Sequence, residues 1–188
     1  MQEVILFELG DYLLAHSDEI IDEWLRAVER NVGMIVSRCL SRNERVDHLP
    51  QLLQKLAELL KSPQLVQDSL GSVAFADSCE MSHAARVHGE YRWRQGYRLE
   101  DVICEATIVR RILFHNWLDA FARQAPQFEG ATRRLAENII HQVVDDVVAN
   151  STEQFVEEQE RMIYRLNSEL ADALAEVRER RVLTGSVG

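Results

Sequence analysis

Apolar residues along this chain recur at three- and four-residue steps almost from end to end, and no stretch alternates in the way of a strand. The spacing predicts a first helix with Val4, Phe7, Leu9, Tyr12, Leu13 and Leu14 on its apolar face. Ser17-Asp18-Glu19 then reads as the cap and acidic first turn of a second helix, which carries Ile20, Ile21, Trp24, Leu25 and Val28 and ends before Gly33. Ser41 and Glu44 stand at capping-box spacing. Beyond them Val46, Leu49, Leu52, Leu53, Leu56, Leu59 and Leu60 form a further stripe, in which Pro50 marks either the helix start or a kink. Ser62-Pro63 stops that helix, a short one through Leu65, Val66 and Leu70 ends at Gly71, and Ser78 or a neighbour opens the next.

The stretch from His88 to Trp117 organises the middle of the chain. Met81, Ala85, His88 and Arg92 fall on one helix face, Gln95-Gly96-Tyr97 makes a corner, and a second helix carries Leu99, Val102, Ile103, Ala106, Val109, Leu113, Trp117 and Phe121. Gly96 suits a turn that needs positive φ, and Glu100 and Asp101 suit the positive end of the following helix. A glycine inside a helix costs about 1 kcal/mol relative to alanine. Gly89 therefore implies a close helix crossing or a ligand, the crossing being the commoner cause.

After Ala125-Pro126 and Gly130 there is no proline or glycine until Gly185, which as one helix would span about 80 Å. Leu135, Ile139, Ile140, Val143, Val144, Val147 and Val148 make its first part apolar enough to pack on a domain. Its second part thins to a seam of Phe155, Met162, Leu166, Leu170, Ala173, Leu174 and Val177 among Glu, Gln and Arg. A seam so narrow on a projecting helix needs another helix, so a parallel homodimer is expected. The spacing departs from a strict heptad between Leu166 and Leu170, in the manner of a stutter. The pattern as a whole predicts an all-α helical bundle over residues 1–150, then a coiled-coil helix and turn-like tail over 151–188.

Composition narrows the roles open to such a bundle. A chain of 188 residues with 46% hydrophobic content can bury one good core. A formal net charge of −10 argues against a general nucleic-acid binder and against docking on anionic lipid. No apolar run is long enough to span a bilayer, and Met1-Gln2-Glu3 is not a basic signal-peptide start, so a cytoplasmic protein without membrane or nucleic-acid partners is expected. Cys39, Cys79 and Cys104 are odd in number, widely spaced and set among apolar neighbours. They read as buried thiols and support neither a disulfide framework nor a zinc site.

Candidate chemistry is confined to polar groups trapped among apolar faces. His88, Arg92, Glu105 and Arg110 lie at or near stripe positions, where a charge is costly unless paired. The favoured reading is a salt-bridge network that fixes the angle between two helices. The functional reading is a ligand pocket or a switch, with Tyr97 and Trp117 as further members and Arg92 and His88 holding a polar or anionic small molecule. Haem on His88 is a minority reading, with His115 and His141 as lesser ligands. Glu80-Met-Ser-His83 has the Glu-x-x-His spacing of di-iron bundles, but no second such motif accompanies it. Glu153, Glu157, Glu158 and Glu160 read as a solvated face, and Asn150-Ser-Thr152 as a sequon without meaning in an unsecreted chain. There is no glycine-rich phosphate loop, no Cys-x-x-Cys, and no histidine after Glu153 to serve as a phosphoacceptor. Neither enzyme activity, nor a cofactor, nor a resident metal is expected.

One block carries a resemblance. His88-Gly-Glu-Tyr-Arg92-Trp-Arg-Gln95-Gly96-Tyr97-Arg-Leu99-Glu-Asp101-Val102, followed by Glu105 and Arg110-Arg111, resembles the RsbR/RsbRD-type N-terminal sensory domain of stressosome proteins and of some bacterial sensor histidine kinases. The looser helical pattern matches from about Val4 to Val148, with Ala106 where the family would have an aromatic residue. The resemblance implies a globin-like fold without haem that dimerises and feeds a signal into its C-terminal helix. It also implies a kinase or regulatory output domain after residue 188. The expected function is then a sensory and dimerisation domain that passes a packing change around His88–Trp117 to a parallel helix pair. The alternatives are a haem-binding globin-coupled sensor and a ligand-free structural adaptor.

Overall fold

The computed structural model describes residues 2–62 and 79–185, and their side chains except at 79–81 and 181–185. The short helix expected through Leu65–Leu70 and the start at Ser78 lie outside the described residues, as do the side chains of Cys79, Glu80 and Met81. Among the described residues the chain is all-α, with no strand. None of its helices is long and apolar enough to cross a membrane.

Helix α1 (Gln2–Ala15) buries Ile5, Leu6, Leu9, Gly10 and Leu13, while Val4 and Phe7 stay exposed. The expected stripe is therefore rotated. Apolar residues surround most of this helix, so periodicity alone does not choose a face; Gly10 does. A Cβ there would lie 2.9 Å from the Ala57 carbonyl oxygen, so the glycine face is the one pressed against α4 (Leu49–Lys61). Helix α2 (Ser17–Arg30) follows after a single residue, His16, which occupies the N-cap position expected for Ser17 and makes no side-chain capping bond.

A single 3₁₀ turn (Val36–Cys39) leads to the short α3 (Arg42–Val46), whose first turn carries the predicted capping box. Ser41 N donates to Glu44 Oε2 at 2.8 Å, and Glu44 N donates to Ser41 Oγ at 3.3 Å. Pro50 sits in the first turn of α4, so it marks a start and not a kink. Cys39 is exposed on its surface turn and Cys104 is half-buried, which corrects the expectation of buried thiols at both positions.

Helix α5 (Cys79–Arg94) ends at a corner where Gly96 adopts φ 80°, and α6 (Leu99–Ile112) begins. Its buried face runs through Asp101, Val102, Glu105, Ile108, Val109 and Ile112, while Ile103 points outward. A π-helical turn at Leu113–Leu118 and α7 (Asp119–Gln124) precede α8, one helix from Gly130 to Gly185. Helices α5 and α6 both pack along α8, α1 lies on α4, and α2 bridges α4 and α6.

The α5–α8 crossing explains Gly89. A Cβ there would come within 2.1 Å of the Ser151 carbonyl oxygen, so the two backbones touch. Ser151 Oγ donates to the Ala85 carbonyl at 2.9 Å from the same contact. Packing therefore continues past residue 150. Ser151, Gln154 and Phe155 are buried, and Phe155 meets Trp93 edge-on at 5.3 Å. Phe155, expected on the dimer seam, belongs to the core of its own chain. From residue 159 to 180 every position is exposed, Met162, Leu166, Leu170, Leu174 and Val177 included. Continuous helix also brings Ile163 into register. Ile163, Leu166, Leu170, Ala173 and Val177 follow one another at strict three–four spacing, which removes the apparent stutter.

Candidate functional site: a buried polar junction of three helices

Arg92, near the end of α5, is fully buried, and each of its three guanidinium nitrogens donates a hydrogen bond. Nε donates to Glu105 Oε2 on α6 at 2.8 Å, and Nη1 donates to Gln95 Oε1 at 2.8 Å. Nη1 also donates to the Glu44 carbonyl, and Nη2 to the Arg45 carbonyl, each at 2.9 Å. Those two carbonyls belong to the last residues of α3, where a helix leaves acceptors without intrahelical partners. One guanidinium thus caps α3 and pairs with α6.

Glu105 is the second centre. Its Oε1 accepts from the Tyr97 hydroxyl at 3.1 Å, and its backbone carbonyl accepts from Trp24 Nε1 of α2 at 3.2 Å. The guanidinium lies over the Tyr97 ring, 4.8 Å from its centroid. Burial pushes the Glu105 carboxyl up, against the opposing pull of Arg92. Burial alone would lower the Arg92 pKa, but the Glu105 carboxylate more than reverses this. Burial followed by Glu105 raises the Tyr97 phenol, so Tyr97 remains a donor.

His88 lies one helical turn before Arg92 and is also buried. Its Nδ1 is 2.9 Å from Asp47 Oδ2, and its Nε2 is 3.5 Å from Glu105 Oε2. Burial, then the neighbouring His48, holds its pKa well below the usual histidine value. The His48 ring is 3.8 Å away, centroid to centroid. Burial would raise the Asp47 carboxyl, but the two neighbouring histidines, His48 and His88, more than offset this and leave it lowered. Beside this junction is a cavity of about 20 Å³, walled by Trp24, Val109 and Val147 on its apolar side and by His48, His88 and Glu105 on the other. Such a space suits a single water molecule, not a haem.

The structure therefore brings together His88, Arg92, Tyr97 and Glu105, as the sequence suggested. It does not bring in Arg110 or Trp117. Arg110 faces Asp145 on α8 in a partly exposed ion pair, and Trp117 Nε1 donates to Glu23 Oε2 at 3.0 Å, beside Tyr12 and His16. His83, His115 and His141 are exposed. Periodicity along α5 and α6 missed Asp47, His48 and the Glu44 and Arg45 carbonyls, all supplied by the corner between α3 and α4. The available signal was the Ser41–Glu44 capping box, which opens a very short helix that ends just before an Asp-His pair.

The junction lies within a segment that matches a known family. Residues 18–170 match the family model described as RsbT co-antagonist protein rsbRD N-terminal domain. The match covers most of the chain, and the chain belongs to that family of RsbR-type N-terminal sensory domains. No curated protein and no solved structure matches it.

Proposed function

We propose that this member of the RsbRD N-terminal family is a cytoplasmic sensory and dimerisation module, in which the buried junction sets the position of α8. In this reading α8 pairs in parallel with α8 of a second copy and passes the change to a kinase or other regulatory output domain. No catalytic step is assigned to the chain. The observation that carries the reading is the continuity of α8. Its first half is clamped to α5 at Gly89–Ser151, next to His88 and within one turn of Arg92, and its second half presents Ile163, Leu166, Leu170, Ala173 and Val177 to solvent. An unbroken helix transmits rotation or translation at one end to the other, and an exposed three–four seam is the surface a second such helix covers.

Sedimentation velocity on the full chain tests this. The wild-type protein is expected to be dimeric, and the Leu166→Lys/Leu170→Lys double variant monomeric with unchanged near-UV circular dichroism. A wild-type monomer, or a variant that stays dimeric, would remove the helix pair from the mechanism.

A further inference from the structure

The corner between α3 and α4 contains three features that one bound cation would satisfy together. The first is proton accounting at His88. A neutral imidazole has one N–H. Yet Nδ1 faces Asp47 Oδ2 at 2.9 Å and Nε2 faces Glu105 Oε2 at 3.5 Å, so one nitrogen lone pair is turned toward a carboxylate.

The second feature is His48 Nδ1. It is buried without a hydrogen-bond partner and stands 3.6 Å from Asp47 Oδ2, beyond ordinary hydrogen-bond length. The third is the backbone of Asp47, with φ 41° and ψ −112°. This is a region occupied almost only by glycine, and Asp47 is the one non-glycine residue with positive φ among those described. A side chain held in such a conformation is costly and is retained where its position matters.

We propose that Asp47, His48 and His88 bind one divalent transition-metal ion of the Zn²⁺ class, with Glu105 supporting His88 from the far side of the ring. The carboxylate oxygen and the two imidazole nitrogens already lie within 4.8 Å of one another. Ligands about 2.0–2.1 Å from a tetrahedral ion are about 3.3 Å apart. The 2.9 Å and 3.6 Å separations from Asp47 Oδ2 bracket that value. Metal on Nδ1 of His88 moves the ring proton to Nε2, where Glu105 accepts it. This produces the carboxylate–histidine–metal arrangement that orients ligating imidazoles. The same ion takes the orphaned His48 lone pair. Two imidazoles and one carboxylate favour Zn²⁺, Co²⁺ or Fe²⁺ over Mg²⁺ and Ca²⁺, which prefer oxygen ligands. The side chains of Asp47 and His48 are 25% and 18% exposed, so an ion reaches them from solvent, and water completes its coordination.

As the input of the sensor this site rests on the reading above; as a binding site it does not, and its test needs no output domain. The full chain is stripped with chelator and titrated with Zn²⁺ by calorimetry and with Co²⁺ by visible absorption. The expected result is one equivalent bound, with the d–d bands of a low-coordinate nitrogen–oxygen site. His48→Gln and Asp47→Gly are each expected to weaken binding by more than ~10-fold, and Glu105→Gln by about 10-fold. Asp47→Gly relieves the backbone strain, so its apo form is expected to fold as well as the wild type, and lost binding cannot be ascribed to unfolding. Binding unchanged in both corner variants would place the metal on exposed histidines such as His83 or His115 and overturn the proposal. So would absence of binding by the wild type, or an NMR finding of two protons on the His88 ring with Zn²⁺ present.

Discussion

Arg92 is the residue on which the junction depends. Removing its charge leaves the buried Glu105 carboxylate unpaired and the α3 carbonyls without donors, a class of change that costs about 3–5 kcal/mol. Arg92→Met is therefore expected to lower the urea midpoint sharply. Arg92→Met/Glu105→Leu is expected to recover a large part of the loss, because an apolar pair carries no stranded charge. Equal losses in the single and double variants would show that capping of α3, not the ion pair, dominates. A second residue has the opposite sign. Burial and then Asp145 raise the Asp146 carboxyl. Its folded pKa thus exceeds its unfolded value, so the folded state is favoured at low pH and loses stability as pH rises through the carboxylate range. Asp146→Asn is expected to melt above the wild type at pH 7 and level with it near pH 3. The four legible members of the junction, His88, Arg92, Tyr97 and Glu105, stand close together in sequence on two successive helices and the corner between them, where spacing reports a shared face. Asp47 comes from 41 residues before His88, across a corner whose geometry no periodicity encodes. Arg110 was misplaced because a helical stripe does not say which neighbouring helix its flank will meet; that neighbour is α8, through Asp145.

Among the elements, the α5–α8 crossing is the most constrained. Alanine is the better helix former by about 1 kcal/mol, so Gly89→Ala would stabilise an isolated α5. In the folded chain the new methyl meets the Ser151 carbonyl at 2.1 Å, backbone that cannot rotate away, and overpacking of this kind costs about 1–3 kcal/mol. The net expectation is a lower urea midpoint for Gly89→Ala, together with higher helicity of the corresponding isolated peptide. A midpoint equal to or above the wild type would mean that α5 and α8 separate freely. Helix existence was legible for α2, α4, α5, α6 and α8, where caps, proline and stripes agree. The face of α1 was not, because Val4, Ile5, Leu6 and Phe7 make it apolar on several sides and the close approach at Gly10 decides. The π-helical turn at Leu113–Leu118 was also invisible, since the apolar steps from Val109 to Phe121 suit an ordinary helix equally well.

At the scale of the molecule, the two halves of α8 differ in what holds them. Residues 136–155 are supported by α5, α6 and the core. Among the described residues, 161–180 are exposed and carry ion pairs along the helix, such as Arg161–Glu157, Arg165–Glu169 and Arg180–Glu176. Pairs of this kind contribute a few tenths of a kcal/mol each, and an isolated helix of such length is marginal in water. If a second copy covers the seam, the distal half gains cooperative protection by association; if none does, it frays. Hydrogen exchange separates the cases. In the wild type at micromolar concentration, amides of 162–177 are expected to be protected, and to lose protection on dilution below the dimer dissociation constant. In Leu166→Lys/Leu170→Lys the same amides are expected to exchange at near-random-coil rates while those of 136–155 keep wild-type protection. The net charge of −10 opposes close approach of two copies, so added salt is expected to deepen protection of the seam. Protection independent of concentration and of both lysines would mean that the distal half of α8 is stabilised within one chain, and the route from the buried junction to a partner would then have to leave the domain elsewhere.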